Sequence, residues 1–489
     1  MADIIGFTAS WSSVVTVVYA LTIAVTVLIV ILDNHNPTKA LLWVLVLVLL
    51  PVGGMVFYIF FGRNLRRQHL YKHKPQINVS NVAAELAPVT CSVQQASALP
   101  PSVQENLHVA RLLVNNDSSP IFRGNQVSVY HSGQEAFTAL LEDLRLARRF
   151  IHMEFYIFSA DSIGQAVAEV LIAQAQAGVE VVLIYDDVGS FMLPKRFVRR
   201  LEAGGVRAKP FQRVFFPWLS SKVNYRNHRK IVVVDGQVAH MGGMNIAEKY
   251  VLGDRNLGPW HDTQLRIVGP AVLPLHRIVL KDYDFVNRDE PPRADTYPYV
   301  MPKPLGENVK IQVAASGPDS DWASIMHAFF VAIAKAQRYI YITTPYFIPN
   351  ESILTALRTS ALSGVDVKLL LPSKSDSAAV NKATKSYIGT LLEAGVQVYL
   401  FKNGFNHSKV ILVDGTLATV GSANMDIRSF ENNFEVCSFI YDAAITQQLE
   451  EEFIHNALQS HRVSPVEWGQ RRWPERLAQA VARLFSPLF

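Results

Sequence analysis

Two short segments of the 489-residue chain carry residue types that phosphoryl chemistry needs, and each is a copy of the other. The first reads His228-Arg229-Lys230-Ile231-Val232-Val233-Val234-Asp235, the second His407-Ser408-Lys409-Val410-Ile411-Leu412-Val413-Asp414. Each is His-x-Lys, four apolar residues and Asp. Gly242-Gly243-Met244-Asn245 and Gly421-Ser422-Ala423-Asn424 follow at the same offsets from their histidines. A given residue type turns up by chance at about one position in twenty, so one copy could be luck. Two with matching downstream offsets could not.

Residues two apart point to the same face of a strand, so each His and its Lys can meet one anion. Neither segment is a complete acid–base pair, because each supplies one imidazole and one ammonium. Together they place His228, His407, Lys230, Lys409 and the amides of Asn245 and Asn424 around a single phosphorus. One neutral imidazole can attack while the other, protonated, donates to the leaving alkoxide. An ordinary pKa of about 6.5 makes both forms accessible near neutrality. The lysines and amides then stabilise charge where it builds on the phosphoryl oxygens. A lysine between would-be ligands repels a divalent cation, so the expected catalysis needs neither metal nor cofactor.

The elements that must position these groups also occur twice. A helix-like stretch ends at Ala147-Arg148-Arg149-Phe150-Ile151 before the strand-like His152–Ile157, and Ala336-Gln337-Arg338-Tyr339-Ile340 precedes Tyr341–Tyr346 in the same way. Gly178–Ile184 matches Gly364–Leu370, and Leu201-Glu202-Ala203-Gly204 matches Leu392-Glu393-Ala394-Gly395. Helical patterns alternating with β-branched runs predict α/β units around a largely buried sheet, and the matching order predicts a duplicated domain. The expected division is a first domain over 121–300, a second over 301–460, a connector over 76–120 and a C-terminal segment over 461–489. A Pro-rich stretch from Glu290 to Pro304 makes the seam.

Residues 1–75 differ in kind. The chain is 49% hydrophobic with a mean hydropathy of +0.16, and the excess lies in two runs, Trp11–Leu32 and Ala40–Phe61. Each reaches the roughly 20 residues that a crossing helix needs. Asp3 is the only charge before the first run, which argues for a retained anchor over a cleaved signal. Arg63, Arg66, Arg67, Lys72 and Lys74 follow the second run, so that end and the bulk of the chain are expected on the cytoplasmic side. Pro51, Gly53 and Gly54 leave open a hairpin that dips in without crossing. A net charge of +5 and a pI near 9.0 suit anionic lipid or phosphate, and equally nucleic acid. Cys91 and Cys437 give neither metal-ligand spacing nor a disulfide framework, and a reducing compartment is the simpler reading.

The duplicated motif resembles the two HKD motifs of the phospholipase D superfamily, over nearly everything after about residue 110. The resemblance implies two homologous α-β-α sandwich domains with the active site at their interface. It implies a phosphohistidine on His228, with His407 as general acid and later as base. A carboxylate beyond each motif orients its histidine in that family, and Asp262 and Glu435 match those positions; Asp235 and Asp414 belong to the motif as loop braces. Gly243 stands where the second copy has Ser422, which puts symmetric phosphate binding in doubt.

The motif alone leaves lipase, transferase and nuclease open. Three features favour lipid: the apolar hairpin, the aromatic segment Val214–Leu219 before the first motif, and a C-terminal stretch from Pro474. In that stretch Leu477, Val481, Leu484 and Leu488 share a helical stripe with Arg476 and Arg483 elsewhere. It suits a membrane interface, the domain surface or a second subunit. Val214–Leu219 suits acyl chains at the mouth of the site or a buried loop. Pro51–Tyr58 and Thr344–Pro349 are similar in particular to bacterial cardiolipin synthases of the two-motif type. That likeness implies transfer of a phosphatidyl group from one phosphatidylglycerol to another with release of glycerol. The implied setting is a multi-pass protein of the bacterial inner membrane, in contact with anionic lipid and not nucleic acid, with a homo-oligomer left open. Hydrolysis to phosphatidic acid, nuclease activity and a silent membrane scaffold are the competing functions.

Overall fold

Runs of β-branched residues broken by Gly-containing turns build seven strands, twice over. The first set is β1 (Ile121–Tyr130), β2 (Phe150–Phe155), β3 (Glu180–Asp186), β4 (Arg207–Phe211), β5 (Lys230–Val234), β6 (Val238–Gly242) and β7 (Gln264–Val268). The second is β8 (Val309–Ser316), β9 (Tyr339–Thr343), β10 (Asp366–Pro372), β11 (Gln397–Phe401), β12 (Val410–Val413), β13 (Leu417–Gly421) and β14 (Glu435–Ile440). A short β15 (Ser460–Arg462) lies on the edge beside β11. This computed structural model describes residues 2–33, 37–50, 53–55, 58, 89–94, 97, 99–214, 224–287 and 309–486.

The first set is ordered β4-β3-β2-β5-β6-β7-β1, and the second repeats that order as β11-β10-β9-β12-β13-β14-β8. The sets meet where β1 runs antiparallel to β8, so one sheet passes through both halves. Antiparallel pairing of equivalent strands is what a local two-fold relation produces. Only the outer three strands of each set are parallel. The inner ones are antiparallel, because Asp235-Gly236-Gln237 and Asp414-Gly415-Thr416 are too short to make a parallel crossover. The sheet is therefore mixed rather than a simple α/β array.

Helices cover both faces. In the first half α3 (Gly133–Leu146) and α4 (Ser162–Gln176) take the side on which Ile151, Met153 and Phe155 point, and α5 (Val272–Val286) takes the side of His152 and Glu154. In the second half α6 (Ser324–Lys335) and α7 (Glu351–Leu362) pack on Ile340 and Ile342. There α8 (Ala378–Ser386) lies near the site end of the sheet, and α9 (Ala443–Leu458) stacks Phe453 on Tyr341 at 4.9 Å. Each half is thus an α-β-α sandwich, with strands buried on both faces.

The turns after β5 and β12 explain the motif aspartates. Asp235 and Asp414 are left-handed, at φ 54° and 51°. The Asp235 carboxylate accepts the backbone N–H groups of Arg148, Arg149 and Phe150 at 2.9, 2.8 and 2.9 Å. Asp414 does the same for Gln337, Arg338 and Tyr339 at 2.8, 2.7 and 2.9 Å. Seven residues of extended chain, roughly 23 Å, separate each from its histidine. Neither aspartate can therefore reach an atom that His228 or His407 touches. Asp235→Ala is expected to destabilise the protein by about 2–4 kcal/mol through three stranded donors. A urea melt matching that of the unsubstituted protein would contradict this.

The N-terminal helices, α1 (Ala2–Asp33) and α2 (Pro37–Leu49), belong to a separate compact unit. Val30, Leu47 and Tyr58 pack together there, while Val17, Leu21, Val25, Leu28 and Leu45 are exposed. Among the described residues no helix is long and apolar enough to cross a membrane, so they do not show the expected pair of crossings. Residues 51–52, 56–57 and 59–61 of the second apolar run, the basic cluster from Arg63 to Lys74, the aromatic residues 215–219 and the Pro-rich seam lie outside the described residues. So does Leu488.

Candidate active site

Each histidine precedes a central strand and is fastened by its backbone to the other half. His228 N–H donates to the Phe434 carbonyl and Phe434 N–H to that of Arg226, both at 2.9 Å. In the mirrored position His407 N–H donates to the His261 carbonyl at 2.7 Å, and Phe405–Asn406 pairs with Trp260–His261. The next residue along each partner segment is the acid. His228 Nδ1 lies 3.0 Å from both oxygens of Glu435, and His407 Nδ1 lies 2.7 Å from Asp262 Oδ2. The expectation that each acid serves its own half is corrected here: the two carboxylates are exchanged. The cause is the pairing of strand ends across the interface, which carries each acid past the opposite motif.

A carboxylate on Nδ1 leaves the Nε2 lone pair of a neutral imidazole for chemistry. Lys230 Nζ donates to the His228 carbonyl at 2.6 Å, and Lys409 Nζ sits 2.9 Å from His407 Nδ1 and 3.2 Å from its Nε2. Burial pushes the His228 pKa down to about 4, with Glu435 pulling it up and Lys230 and Lys409 adding to the depression. Burial drives His407 well below its usual value, and Lys409, Lys249, Lys230 and His228 push the same way. Burial also lowers Lys230 to about 7 and Lys409 to about 8. Each histidine feels the lysine of the other half, so both motifs share one electrostatic site.

The two acids are not equivalent. Glu435 is desolvated, yet His228, Lys230 and Ser422 hold its pKa below the usual carboxylate range. Its oxygens also accept the Ser422 hydroxyl and the Asn433 amide, the latter at 3.2 Å. Burial raises Asp262 to about 7, with Lys409 opposing only in part. Gly243 explains the difference. A Cβ there would stand 2.0 Å from Asp262 Oδ1, because the shorter acid must come in closer to reach His407. The serine that the first copy lacks is thus a partner of the acid in the second copy, not a phosphate contact. Gly243→Ala is expected to push Asp262 off His407 and lower turnover about 100-fold. Turnover within twofold of the parent would refute that.

Asn245 accepts Ile157 N–H at 3.0 Å and donates to the Tyr250 hydroxyl at 2.9 Å, and Asn424 donates to Asp426 at 3.1 Å. Each amide has a second N–H beyond the one used in these bonds. Sequence reasoning missed the residues around the histidines. The Tyr156 ring meets His228 edge-on at 4.9 Å. Trp260, Tyr250 and Tyr346 surround His407 at 5.6, 6.2 and 6.3 Å, and Lys249 Nζ lies 4.0 Å over Trp260. Behind the first motif Arg229 pairs with buried Asp282 and donates to the Glu435 carbonyl at 3.2 Å. Comparing the copies selects only residues repeated at one offset, and Tyr156 and Tyr346 stand at different offsets from their histidines.

Against known proteins, residues 140–263 and 329–457 match the family described as cardiolipin synthase, phospholipase D-like domain. Residues 20–63 match one described as phospholipase D-nuclease N-terminal. A cardiolipin synthase of Geobacillus kaustophilus is 38% identical over 463 residues, covering 94% of this chain and 91% of the relative. One of Halalkalibacterium halodurans is 36% identical over 484 residues, covering 98% and 95%. The crystal structure of phosphatidylserine synthase from Haemophilus influenzae has the same fold, with a TM-score of 0.58 at 14% identity over 77% of this chain and 98% of that one.

Proposed function

The chain belongs to the cardiolipin synthase family of the phospholipase D superfamily, and from that premise we propose that it moves a phosphatidyl group from one phosphatidylglycerol to another, releasing glycerol. The observation that carries this reading is the pair of crossed His–carboxylate contacts, one per half, with Lys230 on the His228 backbone carbonyl and Lys409 on the His407 ring. His228 Nε2 attacks phosphorus and forms the P–N bond as the bond to glycerol oxygen breaks. Protonated His407 gives that oxygen its proton. A second phosphatidylglycerol then loses its primary hydroxyl proton to His407, and its oxygen displaces His228 from phosphorus. One phosphodiester replaces another, so no nucleotide is consumed. Lys230, Lys409, Asn245 and Asn424 hold the phosphoryl oxygens, with Glu435 and Asp262 orienting the rings.

Product analysis tests this directly. Purified protein supplied with phosphatidylglycerol should yield cardiolipin and glycerol in equal amounts. Phosphatidic acid as the main product would replace transfer with hydrolysis, and cleavage of DNA without lipid turnover would replace both.

The site also predicts a proton linkage. An anion between the lysines favours their charged forms, so binding raises the pKa of Lys409 above about 8 and that of Lys230 above about 7. At pH 8 the complex therefore holds more protons than the free enzyme, and affinity falls as pH rises further. Titration calorimetry with inorganic phosphate in buffers of different ionisation enthalpy should show net proton uptake; proton release would reverse the sign of the argument.

We read the N-terminal hairpin as the anchor to the bacterial inner membrane, with two crossings and the catalytic halves on the cytoplasmic side. The exposed Val17, Leu21, Val25, Leu28 and Leu45 support it, since lipid is the natural cover for such side chains. The basic residues from Arg63 to Lys74 support the orientation. Removal of residues 1–75 should release the protein from membranes washed with carbonate.

A further inference from the structure

The C-terminal helix α10 (Trp473–Leu484) packs on α8, with Gln479, Ala482 and, just beyond its end, Ser486 buried. At about 100° per residue, Trp473, Leu477, Val481 and Leu484 fall within about 80° of one another, on the side facing away from those contacts. All four are exposed, Trp473 at 73% and Leu484 at 78%. The apolar stripe is therefore not what fastens this helix to the protein. Arg476 and Arg483, both exposed, flank it.

The helix is linked to the site through α8. Ala482 shares a small apolar cluster with Ala383 of α8 and with Ile348. The N-cap of α8 is Ser377, and the neighbouring Asp376 accepts the Tyr346 hydroxyl at 2.8 Å. Tyr346 is in turn one of the rings around His407. The other half shows a matching arrangement. Phe191 and Met192 are each 76% exposed and directly follow Ser190, whose hydroxyl donates to the Tyr156 carbonyl at 3.1 Å. Tyr156 is the ring against His228. Exposed apolar side chains thus sit on the elements that support the ring against each histidine.

We propose that the α10 stripe, together with Phe191 and Met192, is a docking surface for an anionic lipid bilayer that presents the site to the membrane. Apolar side chains enter the interface while Arg476 and Arg483 meet lipid phosphates, a pattern that binds anionic membranes. This rests on the function proposed above, because only a lipid substrate gives the site a reason to face the bilayer. A substrate drawn from the bilayer then reaches His228 and His407 without its acyl chains entering water.

The test uses the full chain in vesicles containing phosphatidylglycerol brominated on its acyl chains. A fluorophore is placed at Leu477→Cys, Leu484→Cys or Met192→Cys, with Leu146→Cys on α3 as the exposed control and Cys91→Ser in every variant. Emission at the first three positions should fall at least twofold relative to vesicles of unbrominated lipid, with the control unchanged. Quenching no greater than at Leu146 overturns the proposal. Disulfide cross-linking between Leu484→Cys copies without lipid quenching also overturns it, and assigns the stripe to a second copy of this chain. As a functional arm, Leu477→Glu with Leu484→Glu should cut turnover of vesicle substrate about tenfold and change turnover of a soluble short-chain phosphatidylglycerol less than twofold. Equal losses on both overturn it. Cardiolipin is measured in the same samples: quenching with only phosphatidic acid formed would refute the transfer reading and leave the docking surface standing.

Discussion

Alanine at His228 is expected to lower phosphatidyl transfer by about four orders of magnitude, because it removes the atom that bonds to phosphorus. His407→Ala should cost a similar factor with phosphatidylglycerol, since glycerol alkoxide leaves poorly without a proton. The two variants part company when the leaving group needs no acid. With a phosphatidyl ester of p-nitrophenol, His407→Ala should still release one burst of p-nitrophenol per site and retain the lipid on His228. His228→Ala should give no burst. The reverse pattern would exchange the two roles while leaving the shared site intact. Lys230 and Lys409 do not alter this logic, because they act on oxygens that remain through both steps.

The distinction matters because the unoccupied site does not set up an acid in advance. Burial and the neighbouring lysines hold both imidazoles neutral near pH 7. In the proposed mechanism His407 gains its proton as a phosphodiester anion offsets those cations. An empty site whose acid is already charged would waste its proton on water; coupling the proton to the substrate ties it to productive turnover.

What could be read in the sequence was whatever the duplication repeated. His228 and His407, their lysines and the Gly–Asn tails stood out because chance does not write the same offsets twice. The matching succession of elements along each half followed the repeated apolar runs. The continuous sheet did not, because pairing of β1 with β8 depends on two segments nearly two hundred residues apart. The exchange of Glu435 and Asp262 was hidden for the same reason: spacing along the chain places each acid after its own motif, and only the meeting of strand ends carries it to the other. Gly243 looked like a lost phosphate contact, and only the position of Asp262 shows the space it must leave empty. The mixed sheet, by contrast, was legible in principle. Three residues from Val234 to Val238 cannot span a parallel crossover.

Glu435→Gln carries the second large effect, and it tests the exchange itself. The Glu435 carboxylate fixes a proton on His228 Nδ1, so the Nε2 lone pair faces phosphorus. A glutamine can offer its NH2 group instead, which moves the ring proton to Nε2 and abolishes the nucleophile. Loss of the equivalent carboxylate in other His-based sites costs about 10⁴ in turnover, and about 10³ to 10⁴ is expected here. Asp262→Asn should cost less with an activated ester, since it touches only the acid–base partner. Proton NMR separates the pairing from the general damage. A downfield Nδ1–H resonance assigned to His228 should vanish in Glu435→Gln and persist in Asp262→Asn, and that of His407 should do the opposite. The opposite assignment would return each acid to its own half. If the crossed pattern holds, neither half can orient its own histidine, and the catalytic unit exists only where the two motifs meet.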